Sequence, residues 1–415
     1  MRASTIGIVK ATAPILAHSA VAITTRFYET LLGEHPELRP MFNRSHIERG
    51  LQAHALADAV VAYAQCIDHP EVLAPALRRI AHKHASLDVQ PRQYEIVGQC
   101  LLRAISDVLG DAAAVEIIDA WGEAYEHLAH VLIEMEQDIY RRNEREPGGW
   151  RGPRRFQVTR IEPESASIRS FYLVPADGGP LMPFTAGQYL TVLLEIDGQS
   201  VRRNYSISCA PGLGHYRITL KRDPEGLVSR YFHDHVRVGH VLDVLPPCGD
   251  FVLHESERPL VLVSAGVGIT PTISMLDVAV ASGRPIVFLH ATHRGREHAF
   301  RRHVQALSRI HPQLRHAFVY EQLDPGDAPQ HVGMLDRAIL SRYIAGPDVE
   351  VYVVGPQPFM ETVFHHVKAL GVPEDRIHYE FFGPQQPLSA PADDEPQRVL
   401  SRRLRRPTEE YASLA

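Results

Sequence analysis

Two histidines stand two positions apart in "RRIAHKHASLD", Arg78 to Asp88. An imidazole can ligate a metal, move a proton or serve as a hydrogen-bonded core residue. On a helix, residues two apart point about 200° away from each other, so His82 and His84 cannot share one ion from one face. Leu73, Leu77, Ile80, Ala81 and His84 fall on one helical stripe, which turns His84 toward a core. His82 lies with Arg78 on the opposite face and is expected to meet water. Elsewhere Tyr28 lies in line with Val21, Thr24, Thr25 and Leu32, so its hydroxyl enters an interior and needs a polar partner. Gln52 and Leu56 are one turn apart on a following helix, and Phe42 lies between these segments in "RPMFNRS". Taken singly, His84 is a core imidazole or a ligand, and Gln52 belongs to a solvated helix face.

Two further stretches have the shape of phosphate sites. "DPEGLVSRYFHD" places Gly226 before a helix opening with Val228 and Ser229, an arrangement suited to holding phosphate with backbone N–H groups. "LVLVSAGVGITPTISML" reads as strand, glycine turn and helix. In its turn, Gly266, Val267, Gly268 and Ile269, the glycines allow close approach of a pyrophosphate. Thr270 can cap the helix and Pro271 suits its first turn.

The elements that position these residues change character along the chain. Up to about residue 145, apolar residues recur at helical spacing, most clearly Ile118, Trp121, Tyr125, Leu128, Leu132, Met135 and Ile139. Turn clusters such as "GEHPELRP" and "LDVQPRQ" separate the helices, and Pro91 sits where a first helical turn accepts it. "RRNEREPGGWRGPRR" has a linker composition. Beyond it, "QYLTVLLEI" and "HYRITLKR" alternate with a strand period, which predicts a small antiparallel barrel or sandwich. From about Pro259, runs such as "PLVLVSA", "PIVFLHA" and "VEVYVVG" alternate with helical segments and predict a parallel α/β sheet. The expected division is a helical domain at 1–142, a linker at 143–153, a barrel at 154–256, an α/β domain at 257–384 and a disordered tail at 385–415. The tail's "RRLRR" is balanced by acidic residues, so a solvated tail is expected rather than a binding arm.

Composition bounds the function. At 415 residues the chain exceeds one ordinary core, and its 45% apolar and 22% charged residues are those of a globular protein. A net charge of −6 argues against a nucleic-acid surface. No integral membrane segment is expected, because no run of about 18 apolar residues occurs, and no cleavable leader is expected, because "MRASTIGIVKATAPIL" lacks a distinct apolar core with a small-residue cleavage site. A cytoplasmic location is expected. Cys66, Cys100, Cys209 and Cys248 form no CxxC pair, so free thiols are expected in place of disulfides or structural zinc.

Together, Tyr28, Phe42, Gln52, Leu56 and His84 resemble a bacterial globin over residues 1 to about 145. The resemblance implies His84 as proximal ligand of haem b, Phe42 wedged against the haem, and Tyr28, Gln52 and Leu56 as distal residues. Tyr94 in "PRQYEIVG" and Glu136 in "VLIEMEQDIY" match residues that form a triad with the proximal histidine in flavohaemoglobins. A carboxylate on the histidine N–H gives the imidazole partial imidazolate character, which suits oxygen activation better than storage.

The rest resembles the ferredoxin reductase family. Arg203, Asn204, Tyr205 and Ser206 in "RRNYSIS" match its flavin-binding strand, with Gln188 and Tyr189 of "AGQYLTV" at other flavin contacts. The resemblance implies that Arg203 clamps the FAD pyrophosphate, Tyr205 packs against the isoalloxazine ring and Ser206 reaches its N5. "HYEFFGP" supplies Glu380, Phe381, Phe382, Gly383 and Pro384 to the flavin, with Phe382 as ring shield. The glycine turn resembles that family's nicotinamide site, although Ile269 replaces a common glutamine and Val354 a common cysteine. The three modules in this order resemble a flavohaemoglobin. The implied activity is nitric oxide dioxygenation, with dioxygen, nitric oxide and NAD(P)H as small-molecule partners. A haem-dependent reductase of peroxide, or of nitric oxide without oxygen, is the rival enzyme. An oxygen- or nitric-oxide-binding sensor is the rival of another class, against which the reductase signatures count.

Overall fold

The structure, a computed structural model, describes residues 1–383. Pro384 and the expected tail at 385–415 lie outside the described residues. Six helices come first: α1 (Ala3–Glu34), α2 (Arg44–Glu48), α3 (Leu51–Gln65), α4 (Ala74–Ser86), α5 (Pro91–Leu109) and α6 (Val115–Arg145). The spacing of Val9, Leu16, Ile23, Phe27 and Leu31 puts one stripe of α1 into a core shared with α3, α5 and α6. By length and composition alone α1 could cross a bilayer, although it holds no unbroken run of about 18 apolar residues. Its apolar stripe is spent on the helical core instead. Pro91 opens α5 behind a reciprocal Gln90–Gln93 capping box, which satisfies otherwise unpaired N–H groups of the first turn. Where α5 crosses α6, a Cβ on Gly98 would lie 2.5 Å from the Tyr125 ring, so glycine is what lets that ring pass. The Tyr125 hydroxyl then donates to the Tyr94 carbonyl at 2.7 Å, fixing the backbone of a candidate site residue.

The stretch with linker composition is packed, not loose. α6 runs five residues into it, to Arg145, and Asn143 there is buried. Gly148 has φ +72° and lies against the Pro180 carbonyl. Gly149 sits so close to the Asn143 carbonyl that a Cβ would fall 1.8 Å from it. Trp150 stacks at a tilt on Phe156, 5.4 Å between ring centres, and donates from Nε1 to the Val244 carbonyl. The glycines are there for close approach and not for flexibility.

The second unit is an antiparallel sheet of β1 (Arg154–Pro163), β2 (Ile168–Pro175), β3 (Tyr189–Ile196), β4 (Gln199–Ser206), β5 (Tyr216–Lys221) and β6 (Val241–Cys248), in the order β4-β3-β6-β1-β2-β5. An Ile207–Ile218 bridge joins the edges and closes it into a barrel. Phe156, Phe171, Leu190, Val192 and Tyr216 fill the inside, and α7 (Leu227–His235) plugs it with Val228 and Phe232. In the third unit the strands are parallel: β7 (Leu260–Ala265), β8 (Ile286–Thr292), β9 (Leu314–Tyr320), β10 (His331–Val332), β11 (Glu350–Val354) and β12 (Ile377–Glu380), in the order β10-β9-β8-β7-β11-β12. Helices α8 (Ile269–Ala279) and α9 (Arg301–Ile310) cover one face, and α10 (Arg337–Tyr343) and α11 (Gln357–Ala369) the other. Covering both faces explains why β7 is an unbroken apolar run: Leu260 and Leu262 enter one core, Val261 and Val263 the other. The order reverses between β7 and β11, the switch point at which open α/β sheets bind ligands.

Candidate functional site

The stripe reading turns His84 inward, and α4 packs on α6 to carry this out. His84 Nδ1 lies 2.7 Å from the Tyr94 hydroxyl and 2.9 Å from Glu136 Oε1. Tyr94 also donates a short hydrogen bond to the same carboxylate oxygen. Glu136 is 2% exposed, so its acceptor capacity is turned onto this pair. Burial, with the adjacent Glu136 carboxylate, drives the Tyr94 phenol far above its usual range and keeps it a donor. With Nδ1 committed, Nε2 is the nitrogen left to bind a metal, and the imidazole remains one-third exposed amid a buried cluster. That combination fits a haem iron held on the open side of His84.

Across the helical unit, Tyr28 is buried and its hydroxyl is hydrogen-bonded to Gln52. Burial raises its pKa, so the proton stays on. The Tyr28 ring meets Phe27 and Phe42 edge-on, at 4.8 and 5.6 Å between centres. Leu56 packs at the rim of the same core. Tyr28, Phe42, Gln52 and Leu56 are thus gathered into one neighbourhood, with a phenolic donor at its centre.

His82 meets water only in part. It is half-buried against the barrel, where the Gly249 N–H donates to its Nδ1 at 3.3 Å, and burial pulls its pKa down to about 4. The helix lies between two domains, so the face opposite the helical core is covered as well. The same face carries contacts that sequence reasoning missed. Ser86 accepts from Asn204 Nδ2 at 3.3 Å and lies 3.5 Å from the Tyr189 hydroxyl. Lys83 Nζ stands 5.7 Å from the centre of the Tyr189 ring. Arg202 donates to the Leu87 carbonyl. The only sequence signal was position: Lys83 and Ser86 flank His84 on the helix that bears it. The helix that bears His84 is therefore also the one that docks on β4.

On that strand, Arg203 is partly buried, donating to its neighbour's carbonyl and to Asn43 Oδ1 at 3.2 Å. Its remaining donors suit an anion. Tyr205 meets Phe232 edge-on at 5.7 Å, and Ser206 is buried at the strand's end. Gln188 is occupied locally: it accepts from the Thr185 N–H and donates to the Gly249 carbonyl. Gly226 caps α7, Ser229 accepts from the Asp223 N–H, and the Val228 side chain enters the barrel core. Arg203→Ala should lower FAD occupancy roughly tenfold or more while haem content persists, measured by cofactor absorbance of the purified protein. Unchanged flavin content would remove Arg203 from the site.

From the α/β unit, Glu380 ends β12, and its carboxyl is pushed up to about 8, chiefly by burial. Asp250 raises it further and Lys83 opposes the shift. Phe381 packs into the α/β core, whereas Phe382 is 51% exposed and Gly383 lies against His46. In the glycine turn, Gly266 adopts φ +54°. A Cβ on Gly268 would lie 2.5 Å from the Val354 carbonyl, so this glycine is required by the end of β11 at the switch point. Thr270 does not cap α8: its hydroxyl donates back to the Val267 carbonyl at 3.0 Å, because the helix already begins at Ile269 and Thr270 lies inside its first turn. Pro271 is in that turn, as expected. Gly268→Ala should displace the turn and weaken nicotinamide coenzyme binding at least tenfold with FAD retained. A coenzyme affinity unchanged by titration would refute this.

Comparisons with known proteins match the three units in order. The Globin family matches residues 25–132, the Oxidoreductase FAD-binding domain 155–253 and the Oxidoreductase NAD-binding domain 262–365. A flavohemoprotein of Pseudomonas aeruginosa is 48% identical over 385 residues, covering 92% of this chain and 98% of the relative. A flavohemoprotein of Burkholderia sp. strain TH2 is 49% identical over 384 residues, with the same coverage. The crystal structure of a flavohemoglobin from Malassezia yamatoensis with bound FAD and haem superimposes with a TM-score of 0.84 at 29% identity, over 92% of this chain and 99% of that one. The FAD/NAD-binding domain of a nitric oxide dioxygenase from Vibrio cholerae matches with a TM-score of 0.53 at 36% identity, over 56% of this chain and all of that one.

Proposed function

This chain belongs to the flavohaemoprotein family, globin joined to FAD- and NAD-binding oxidoreductase domains, and on that premise we propose that it is a nitric oxide dioxygenase. The reaction takes two nitric oxide, two dioxygen and one NAD(P)H to two nitrate, NAD(P)+ and one proton. When bound, haem b supplies a one-electron iron that takes dioxygen, and FAD divides the two-electron hydride of NAD(P)H into single electrons.

The observation that carries the reading is the cluster of His84, Tyr94 and Glu136, drawn from three helices, with His84 on the one that docks against the flavin strand. The Glu136 carboxylate on Nδ1 increases the basicity of the imidazole, which favours electron donation toward a metal over weak, reversible ligation. Tyr28 presents a proton donor on the other side, and burial keeps it protonated. Leu56 and Phe42 keep that side apolar and exclude water. Arg203 answers the phosphate charge of the flavin, and Lys83, Ser86, Tyr189 and Asn204 hold the two domains in register. Dependence on the NAD(P)H pool favours a cytoplasmic location.

The test is a mass balance. Protein loaded with haem and FAD, given dioxygen, nitric oxide and NADH or NADPH, should produce two nitrate per coenzyme oxidised. Nitrous oxide formed only without oxygen, or peroxide turned over faster than nitric oxide, would favour the rival reductase. Ligand binding without coenzyme oxidation would favour a sensor, which has no use for an FAD barrel and an NAD-binding sheet.

A further inference from the structure

Successive side chains of a strand point to opposite faces. On β4, Val201, Arg203 and Tyr205 share one face, and Val201 and Tyr205 pack on the barrel core. Arg202 and Asn204 share the other face and reach the end of α4. Asn204 accepts from the Thr191 hydroxyl of β3 at 3.1 Å, which leaves its Nδ2 to donate to Ser86 at 3.3 Å. Arg202 Nη1 donates to the carbonyl of Leu87. Two consecutive residues at the end of the helix are thereby bonded to alternate residues of one strand.

α4 stops at this point. Leu87 caps it, Asp88 turns left-handed at φ +58°, and the N–H groups of Leu87 and Val89 both return to the His84 carbonyl, at 3.0 and 3.1 Å. The carbonyls of a last turn carry the negative end of the helix dipole, and a cation beside them is favourable. His84 belongs to that turn. The cation here comes from the other domain. Arg202 is partly buried, and Asp88 and Tyr140 act on it only through space. Its Nε is buried with no hydrogen-bond partner. Burial lowers its pKa, yet a guanidinium stays charged at any physiological pH. Asp88 is turned to Gln90, which donates to it at 2.8 Å and accepts from Arg151, itself stacked over the Tyr140 ring at 4.5 Å. A buried cation without a hydrogen-bonded carboxylate of its own is costly to keep. At this place it stabilises an added electron on the His84 side, opposing the Glu136 carboxylate, which disfavours one.

We propose that Arg202 is a positioning residue for electron transfer: from β4 it caps the helix that bears His84, fixing the register of the two domains and placing a positive charge that draws the electron from the flavin to the haem side. The proposal rests on reading β4 as the flavin strand and His84 as the haem ligand. The step moves one electron, oxidising the reduced flavin by one and taking ferric iron to ferrous. The protein loaded with haem and FAD is compared with Arg202→Gln, which keeps a donor and loses the charge, and with Arg202→Lys, which keeps the charge. Without oxygen, stopped-flow absorbance separates reduction of the flavin by NADH or NADPH from reduction of the haem, and spectroelectrochemical titration gives the haem potential. Arg202→Gln should retain both cofactors and reduce its flavin at the parent's rate. Its haem reduction should slow roughly tenfold, with the flavin–haem equilibrium shifted about tenfold toward reduced flavin. Arg202→Lys should restore the equilibrium. A haem potential unchanged in Arg202→Gln, or lowered equally in Arg202→Lys, would leave only a packing role and overturn the proposal. Should Arg202→Gln lose a cofactor, Asp88→Asn gives the converse reading: removing the opposing carboxylate should raise the haem potential, and a potential unchanged or lowered there would overturn the proposal. A parent protein that binds neither haem nor FAD would instead refute the functional reading itself.

Discussion

His84→Ala should purify without stably bound haem and keep its FAD, and it should still pass electrons from NADH or NADPH to an artificial acceptor. The substitution removes the nitrogen opposite Nδ1, the one the Tyr94–Glu136 pair leaves available. It also strips a partner from Glu136, which is 2% exposed and keeps only the Tyr94 hydroxyl. Leaving a buried carboxylate short of partners costs about 1–3 kcal/mol, so the helical unit should lose some stability as well as its ligand. His84→Ala with Glu136→Gln relieves that charge and separates the two effects: stability should recover and haem should not. His82→Ala is the matched control. It leaves the Gly249 N–H unpaired at the barrel contact but touches no iron ligand, so its haem content should be normal. Haem and flavin absorbance of the three purified proteins decides the matter, and full haem occupancy in His84→Ala would refute the assignment.

Dioxygen should leave Tyr28→Phe roughly ten- to a hundredfold faster than the parent protein. Phenylalanine keeps the edge contacts of the ring with Phe27 and Phe42 and removes only the hydroxyl. Hydrogen bonds to partly charged ligands are worth about 1.5–3 kcal/mol, which sets the factor. The hydroxyl is an effective donor because burial raises its pKa, so its proton remains in place at any physiological pH. Its bond to Gln52 aligns it, and Gln52→Ala should give a smaller increase in the same off-rate. Nitrate formation at limiting oxygen should fall with Tyr28→Phe, while flavin reduction by the coenzyme stays unchanged. Stopped-flow release of dioxygen from the reduced protein measures the effect. An unchanged off-rate would reduce Tyr28 to a packing residue.

Much of this molecule was legible in one dimension because its signals are local. The helical period put His84 on an inner stripe and gave the stripe of α6 from Ile118 to Ile139, and a period depends only on a segment's own backbone. Unbroken apolar runs announced strands covered on both faces, and β7 serves two cores as that pattern requires. The strand, glycine turn and helix at 260–279 were likewise visible. What a face meets was not. Periodicity places His82 opposite the helical core but carries no information about a second domain, and the barrel covers that face. Composition marked 141–155 as a linker, yet Gly148, Gly149 and Trp150 are packed, because glycine serves close approach as well as freedom. Gly268 was expected at a phosphate, and the fold adds the Val354 carbonyl, 86 residues along the chain and beside it only after β11 inserts next to β7. Tyr28 was known to need a partner, and only the approach of α3 to α1 supplied Gln52. The sequence by itself determined which residue types stood on which face of which element. The tertiary structure decided which of those faces share a site, since a hydrogen bond depends on distances of about 3 Å between segments that the chain alone leaves unrelated.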